Sequence, residues 1–253
     1  EPNKLLVNEQ ITNNNCFGDS IGSIDLLVFG GVQPYSYLWS NNFTSKNIRF
    51  LTAGTYSVII SDSNFCNYLD TFTVAEPDLL YAVISPKDVS CNGYNDGQIN
   101  ILINGGTPNY FIDINGYQNQ LINNINFYSS QNIFQSGSYF VSISDSNGCQ
   151  FSDSVDILQT DSLTVNEVNT RISCFGFNDG SSILNIYGGT PPYIQDWGIY
   201  NPSNLGPGTY YYTVTDQKGC QSSDSIIIYE PPTIQSIETK ENVLCHGDSS
   251  GSV

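Results

Sequence analysis

The chain has 253 residues and a formal charge of −17, from 24 acidic and seven basic side chains. That balance excludes nucleic acid and anionic membrane surfaces as partners, because both repel a polyanion. With 39% hydrophobic residues the chain can bury a core, and with three alanines among many Val, Ile, Thr, Tyr and Phe it favours strands over helices.

One script runs through the chain three times and begins a fourth. Each copy opens on Cys-x-Gly, at Cys16, Cys91, Cys174 and Cys245, and a second glycine follows six residues later at Gly22, Gly97, Gly180 and Gly251. In the complete copies a Gly-Gly pair starts 14 residues after the cysteine, at Gly30, Gly105 and Gly188. Gly-Thr/Ser-Tyr comes next, at Tyr56, Tyr139 and Tyr210, each ten residues before a second cysteine, Cys66, Cys149 or Cys220. A period of 71 to 83 residues predicts a tandem array of small domains. Glu-Pro punctuation sets the expected boundaries: residues 1–2 as the tail of a preceding module, 3–77, 78–160 and 161–231 as three modules, and 232–253 as the start of a fourth. Export signals, anchors and any catalytic domain are expected outside this segment, which carries no apolar run long enough to cross a bilayer as a helix.

Alternation predicts the strands, in phase across the copies. After the first cysteine come Ile24, Leu26 and Val28; Ile99, Ile101 and Ile103; and Ser182, Leu184 and Ile186. After the Gly-Gly turn come Tyr35, Tyr37 and Trp39; Tyr110, Ile112 and Ile114; and Tyr193, Gln195 and Trp197. Tyr56, Val58 and Ile60 lead to the second cysteine and Phe72 and Val74 follow it, with matching sets in the other copies. A period of two puts these side chains on one face of each strand. Short strands separated by Gly, Pro, Asn and Asp turns predict an all-β fold of two-sheet sandwiches. The aromatic rings in this phase are assigned to the core, and Tyr128, Tyr200 and Tyr211, off phase, to the surface.

Cores of this size gain from a covalent staple. The expected pairing is one intramodular disulfide each, Cys16–Cys66, Cys91–Cys149 and Cys174–Cys220, with Cys245 left over. Regular spacing favours this oxidised, extracytoplasmic arrangement; reduced, buried cysteines are the alternative.

The string Cys-x-Gly-x-x-Asp-Gly, then Gly-Gly-x-Pro-x-Tyr-x-Tyr-x-Trp, then Gly-Thr-Tyr-x-Val-x-x-x-Asp-x-x-x-Cys and a closing Glu-Pro resembles the SprB repeat of giant cell-surface adhesins in gliding Bacteroidetes. The middle copy departs from it at Asn109, Phe111 and Gln159-Thr160, and carries extra residues between Tyr117 and Gln135. The resemblance implies immunoglobulin-like or PKD-like sandwiches in tandem. It implies an extracellular, outer-membrane-associated stalk serving attachment or gliding after export by the type IX route. The partners so implied are neighbouring repeats, external surfaces or polysaccharide, and secretion and motility machinery met through regions outside this segment. A glycan-binding array and the accessory domains of a secreted hydrolase are the alternatives.

Candidate sites are few. Asp19, Asp96, Asp179 and Asp248 sit in the turn after each first cysteine and are weak calcium candidates, since Asp also favours such turns for its own capping hydrogen bonds. Asp62, Asp145 and Asp216, each four residues before a second cysteine, read as turn residues. No cofactor is required. The single histidine, His246, falls outside the complete copies, so none of them can hold a Ser-His-Asp or Cys-His arrangement, and the segment is not expected to be an enzyme. Asp-Ser/Thr-hydrophobic steps at Thr71, Ser154, Ser225, Ser20 and Ser162 resemble O-glycosylation acceptors of exported Bacteroidetes proteins.

Overall fold

The structure, a computed structural model, describes residues 3–116, 120–122, 126–131, 133–243, 245–247 and 249. The expectations for residues 1–2, Asp248 and Gly251 lie outside these. Among the described residues the ordered elements are strands.

The first copy has six strands: β1 (Leu6–Thr12), β2 (Gly22–Phe29), β3 (Ser36–Trp39), β4 (Ile48–Leu51), β5 (Gly54–Ser61) and β6 (Asn67–Val74). They form two antiparallel sheets, ordered β1-β2-β4 and β3-β5-β6. Ile24 and Leu26 from one sheet and Trp39, Val58, Ile60, Phe72 and Val74 from the other close a single core. Each fully buried aliphatic side chain of this kind contributes roughly 1.5–3 kcal/mol.

The second copy has β7 (Tyr81–Lys87), β8 (Gln98–Asn104), β9 (Tyr110–Ile114), β10 (Gln120–Ile122), β11 (Phe127–Ser129), β12 (Gly137–Ser144) and β13 (Gln150–Ile157). Its sheets run β11-β8-β7 and β10-β9-β12-β13, around Ile99, Ile101, Ile112, Val141 and Ile143. The extra residues after Tyr117 thus supply two short strands, one to each sheet. Tyr128, expected at the surface, is buried instead: β11 pairs with β8 so that Tyr128 stands opposite Ile101, and the inserted strand extends the core.

The third copy has β14 (Thr164–Thr170), β15 (Ser181–Tyr187), β16 (Ile194–Asp196), β17 (Gly208–Thr215) and β18 (Gln221–Ile228), in sheets β14-β15 and β16-β17-β18. Leu184, Trp197, Tyr212, Val214, Ile226 and Ile228 form its core. Tyr212 donates its hydroxyl to Glu167, and burial, then that carboxylate, push its pKa above the usual phenol range.

Tyr56, Tyr139 and Tyr210 each donate a hydroxyl to the carbonyl four residues upstream, of Thr52, Gln135 and Gly206, at 2.9, 3.0 and 3.1 Å. This tyrosine corner is a feature of immunoglobulin-like sandwiches and fixes the turn into β5, β12 and β17. The fold is therefore all-β and immunoglobulin-like. The chain forms two compact units, Glu1–Val89 with Gly93–Leu158, and Ser90–Asn92 with Gln159–Val253.

Candidate functional site

The features repeated most closely lie at the two ends of each sandwich, around the cysteines. The second cysteine sits in a hairpin, between β5 and β6, β12 and β13, or β17 and β18. A buried aspartate builds that hairpin. Asp62 accepts from the backbone N–H groups of Cys66 (2.9 Å), Asn64 (2.9 Å) and Val32 (3.0 Å). Asp145 does the same for Cys149, Asn147 and Thr107, and Asp216 for Cys220, Lys218 and Thr190, all within 2.7–2.9 Å. One carboxylate thus pins the cysteine hairpin to the Gly-Gly turn.

That turn leaves no room for a side chain. Gly30, Gly105 and Gly188 have φ of 73°, 67° and 68°, and a Cβ on each would fall 2.0–2.1 Å from a backbone carbonyl oxygen. Tyr35, Tyr110 and Tyr193 donate their hydroxyls back to these glycines' carbonyls.

Donated hydrogen bonds, that from Cys66 foremost, hold the Asp62 carboxyl below the usual carboxylate range. A depressed folded pKa means stability that is present above the unfolded value of about 3.9 and lost as pH falls through the folded value. Asp62→Asn should therefore lower the urea midpoint of the first sandwich at pH 7, and its deficit should shrink on acidification through that range. Trp39 fluorescence in a Trp197→Phe background reports it; a deficit independent of pH would contradict the assignment.

The first cysteine sits at the opposite end, in the loop before β2, β8 or β15. Two residues ahead of it the backbone is anchored to the end of the last strand: Asn14, Val89 and Ile172 donate to the carbonyls of Ala75, Leu158 and Tyr229 at 3.0–3.2 Å. The closing glutamate clasps the loop itself, Glu76 accepting from the Gly18 N–H at 2.7 Å and Glu230 from that of Gly176 at 3.1 Å. Asp19 accepts from the Cys16 N–H. Asp179 accepts from the hydroxyl and N–H of Ser173, which hold its carboxyl below the usual range, the hydroxyl contributing most. These two calcium candidates thus act as loop caps, and Asp96 also has a partner. Among the described residues no group of three or more His, Cys, Asp or Glu is gathered as a metal site.

The intramodular pairing expected from the sequence is not what forms. Cys16 bonds Cys149 and Cys91 bonds Cys220, while Cys66, Cys174 and Cys245 are free and exposed. The first cysteine of one copy joins the second cysteine of the next. The reason is geometric. Cys66 precedes β6 and the Cys16 loop is anchored to Ala75 just beyond it, so an eight-residue strand separates them. At about 3.3 Å per residue that strand spans more than 20 Å, and a disulfide needs its Cα atoms within about 7 Å. The same holds for Cys91 and Cys149 across β13, and for Cys174 and Cys220 across β18. Within the first unit, Cys16 and Phe17 line a groove of about 330 Å³ together with Leu79, Leu80 and Cys149, and the Asn147 side-chain amide donates to the Asn15 carbonyl at 3.0 Å.

Thr71, Ser154, Ser225, Ser20 and Ser162 are all exposed. The N–H groups of Thr71, Ser154 and Ser225 donate to the carboxylates of the preceding Asp70, Asp153 and Asp224 at 2.7–2.8 Å, so the three sites on β6, β13 and β18 share one local geometry. Tyr211 and Tyr200 are exposed as expected. The places of Tyr211 in the other copies hold Phe140, an exposed ring, and Ser57, so an exposed ring recurs in the second copy and is absent from the first.

A family model described as the SprB repeat matches residues 8–44 and 83–119. No curated protein matches the chain. Among solved structures it is similar to murine CEACAM1b, with 14% identity, 61% of this chain and 100% of that one covered, and a TM-score of 0.29. It is also similar to Dpr2 Ig1-Ig2 in complex with DIP-Theta Ig1-Ig3 (10% identity, 90% and 100% covered, TM-score 0.33). A third is the Bacteroides ovatus mixed-linkage glucan utilization locus SGBP-B (15% identity, 98% and 76% covered, TM-score 0.22). Likenesses at these identities and scores say nothing of what this chain binds.

Proposed function

Because this chain carries SprB repeats, we propose that it forms part of the shaft of a large secreted cell-surface adhesin, and that the shaft serves attachment or gliding. The observation that carries this reading is the cross-repeat linkage: Cys16–Cys149 and Cys91–Cys220 tie successive copies into one covalent ladder. A ligand site needs one well-made pocket. A load-bearing shaft needs every repeat locked to the next, and here the most strictly repeated residues are those that hold the cysteines. Such bonds persist in an oxidising, extracytoplasmic compartment. The exposed hydroxyls of Thr71, Ser154 and Ser225 are the proposed glycan acceptors, facing away from the core.

The test is antibody labelling of intact, unpermeabilised cells of the native source, together with attachment and gliding of cells whose adhesin carries serine at Cys16, Cys91, Cys149 and Cys220. The expected result is surface labelling with the fold retained and attachment or gliding weakened. Labelling only after permeabilisation would exclude the surface shaft, and unimpaired attachment and gliding would exclude its mechanical role. Intact-mass analysis of native protein showing the bare polypeptide would exclude glycosylation.

A further inference from the structure

We propose that the outer sheet faces of the second and third copies each bind a neutral polysaccharide chain. The inference is independent of the shaft, because it rests on side chains that the cysteine loops and hairpins leave unused.

In the second copy the core takes Ile112, Ile114, Val141 and Ile143, so the residues between them point to the other face of the sheet. Strand register arranges that face in rows. Asp113 stands opposite Ser142, and Ser142 opposite Ser152, across β9, β12 and β13. Phe111 lies one row to one side of this trio and Phe140 one row to the other. The rings are 41% and 53% exposed. Four steps of about 3.3 Å separate their rows by about 13 Å along the strands, a span for several linked sugars and not for one. All five side chains line a groove of about 440 Å³, a size suited to a ligand.

The middle row sets the chemistry of the occupant. Among the described residues, Asp113 Oδ1 is buried and has no hydrogen-bond partner. A carboxylate oxygen so placed costs free energy until a donor reaches it. An apolar partner would cover the rings and leave that oxygen unpaired. A pyranose chain meets both demands, since its C–H faces stack on aromatic rings and its hydroxyls donate to a carboxylate and bond with serines. The carboxylate and the chain's charge of −17 disfavour an acidic glycan.

The third copy builds the same face from different residues. Asp196 stands opposite Thr213, and Thr213 opposite Ser223, with Tyr211, 74% exposed, one row away. Tyr211, Thr213 and Ser223 line a groove of about 280 Å³. Here Asp196 Oδ1 accepts from the Gly198 N–H at 2.8 Å, and the other oxygen is the one offered to a sugar. In the first copy the middle row is Leu38, Ile59 and Leu69, and Ser57 takes the place of the ring. With neither carboxylate nor ring, that face is a control within the same chain.

The experiment titrates the whole nitrogen-labelled chain with cellohexaose, mannohexaose and, as a charged control, oligogalacturonate, following backbone amide shifts. The chain is made without sugar on Ser154 and Ser225, which stand opposite Phe140 and Tyr211, so that no attached glycan competes for the rings. A neutral probe is expected to give saturable shifts on β9, β12 and β13 and on β16, β17 and β18, with none on β3, β5 and β6. Phe140→Ala should weaken the second-copy site about tenfold and leave the third-copy titration unchanged, and Tyr211→Ala should do the reverse. Phe140→Trp should retain binding. Asp113→Leu should weaken the second-copy site without lowering the urea midpoint, because it removes an oxygen that the fold leaves unpaired. The copy left unaltered reports that each variant is folded. No saturable shifts with either neutral probe, an equal response to oligogalacturonate, equal shifts in the first copy, or affinities indifferent to Phe140 and Tyr211 would each overturn the proposal. Such a failure leaves the disulfide-linked shaft standing, since no cysteine takes part.

Discussion

Stretched by its ends, the oxidised protein should stop hundreds of ångströms short of the reduced one. Cys16–Cys149 spans a sequence separation of 133 residues. Because Cys91–Cys220 closes an overlapping loop, residues 16–91, 91–149 and 149–220 run in parallel between the two bonds, and the shortest of these segments, 91–149, limits the extension. At about 3.4 Å per extended residue the two bonds together conceal roughly 500 Å of contour. Single-molecule force spectroscopy should release about this length after reduction. The pairing expected from the sequence would hide about 50 residues in each sandwich, roughly 170 Å per event. Three short, equal deficits would thus contradict the cross-repeat ladder, and one long deficit supports it. The bonds also join surface loops rather than core strands, so reduction should leave each sandwich folded at rest, with near-unchanged circular dichroism.

Gly30→Ala should unfold the first sandwich where Gly18→Ala does not. Both glycines have left-handed φ, 73° and 77°, so both substitutions carry the conformational cost of about 1–2 kcal/mol. They differ in what a Cβ would meet. At Gly18 nothing lies within 4 Å, whereas at Gly30 the Lys4 carbonyl oxygen stands 2.1 Å away. Backbone cannot yield as a side-chain tip can, so the Lys4 segment just ahead of β1 must leave its place or the Gly-Gly turn must open. Opening the turn releases the Asp62 hairpin as well, because the turn carries the Val32 N–H that Asp62 holds. A loss of more than about 3 kcal/mol is expected for Gly30→Ala and about 1 kcal/mol for Gly18→Ala. Urea unfolding followed by Trp39 fluorescence, in the Trp197→Phe background, compares them. Equal losses would show that φ alone, and not the close approach of the Lys4 carbonyl, sets the cost.

Much of each sandwich is written locally. Ile24, Leu26, Val58, Ile60, Phe72 and Val74 alternate strictly, and all of them are buried, as are their counterparts in the other copies except the half-buried Val155. Strand alternation is a property of neighbouring residues, so it survives in one dimension. The opening strands β1, β7 and β14 are not legible in the sequence, because they lie at sheet edges and bury only alternate residues in part, such as Val7, Ala82 and Val165. In β1 and β14 the apolar alternation is broken by Glu9 and Glu167, which share the phase of Val7 and Val165, and β7 carries Pro86. Tyr128 departs from its expected surface place for a related reason: an inserted strand answers to the strand it pairs with, and not to the phase of the repeat.

The turn aspartates were legible as turn residues, since Asp four places before a cysteine suits a hairpin closed by side-chain-to-backbone hydrogen bonds. That one carboxylate also reaches Val32, Thr107 or Thr190, some 30 residues away in sequence, was not. The cysteines divide in the same way. Their spacing, their regularity and the oxidising setting they suit could be taken from the sequence by itself. Their partners could not, because nearness in sequence puts Cys16 with Cys66, whereas an extended strand carries the two to opposite ends of one sandwich. Only the tertiary structure, by fixing where each strand begins and ends, turns a set of self-stapled domains into a ladder.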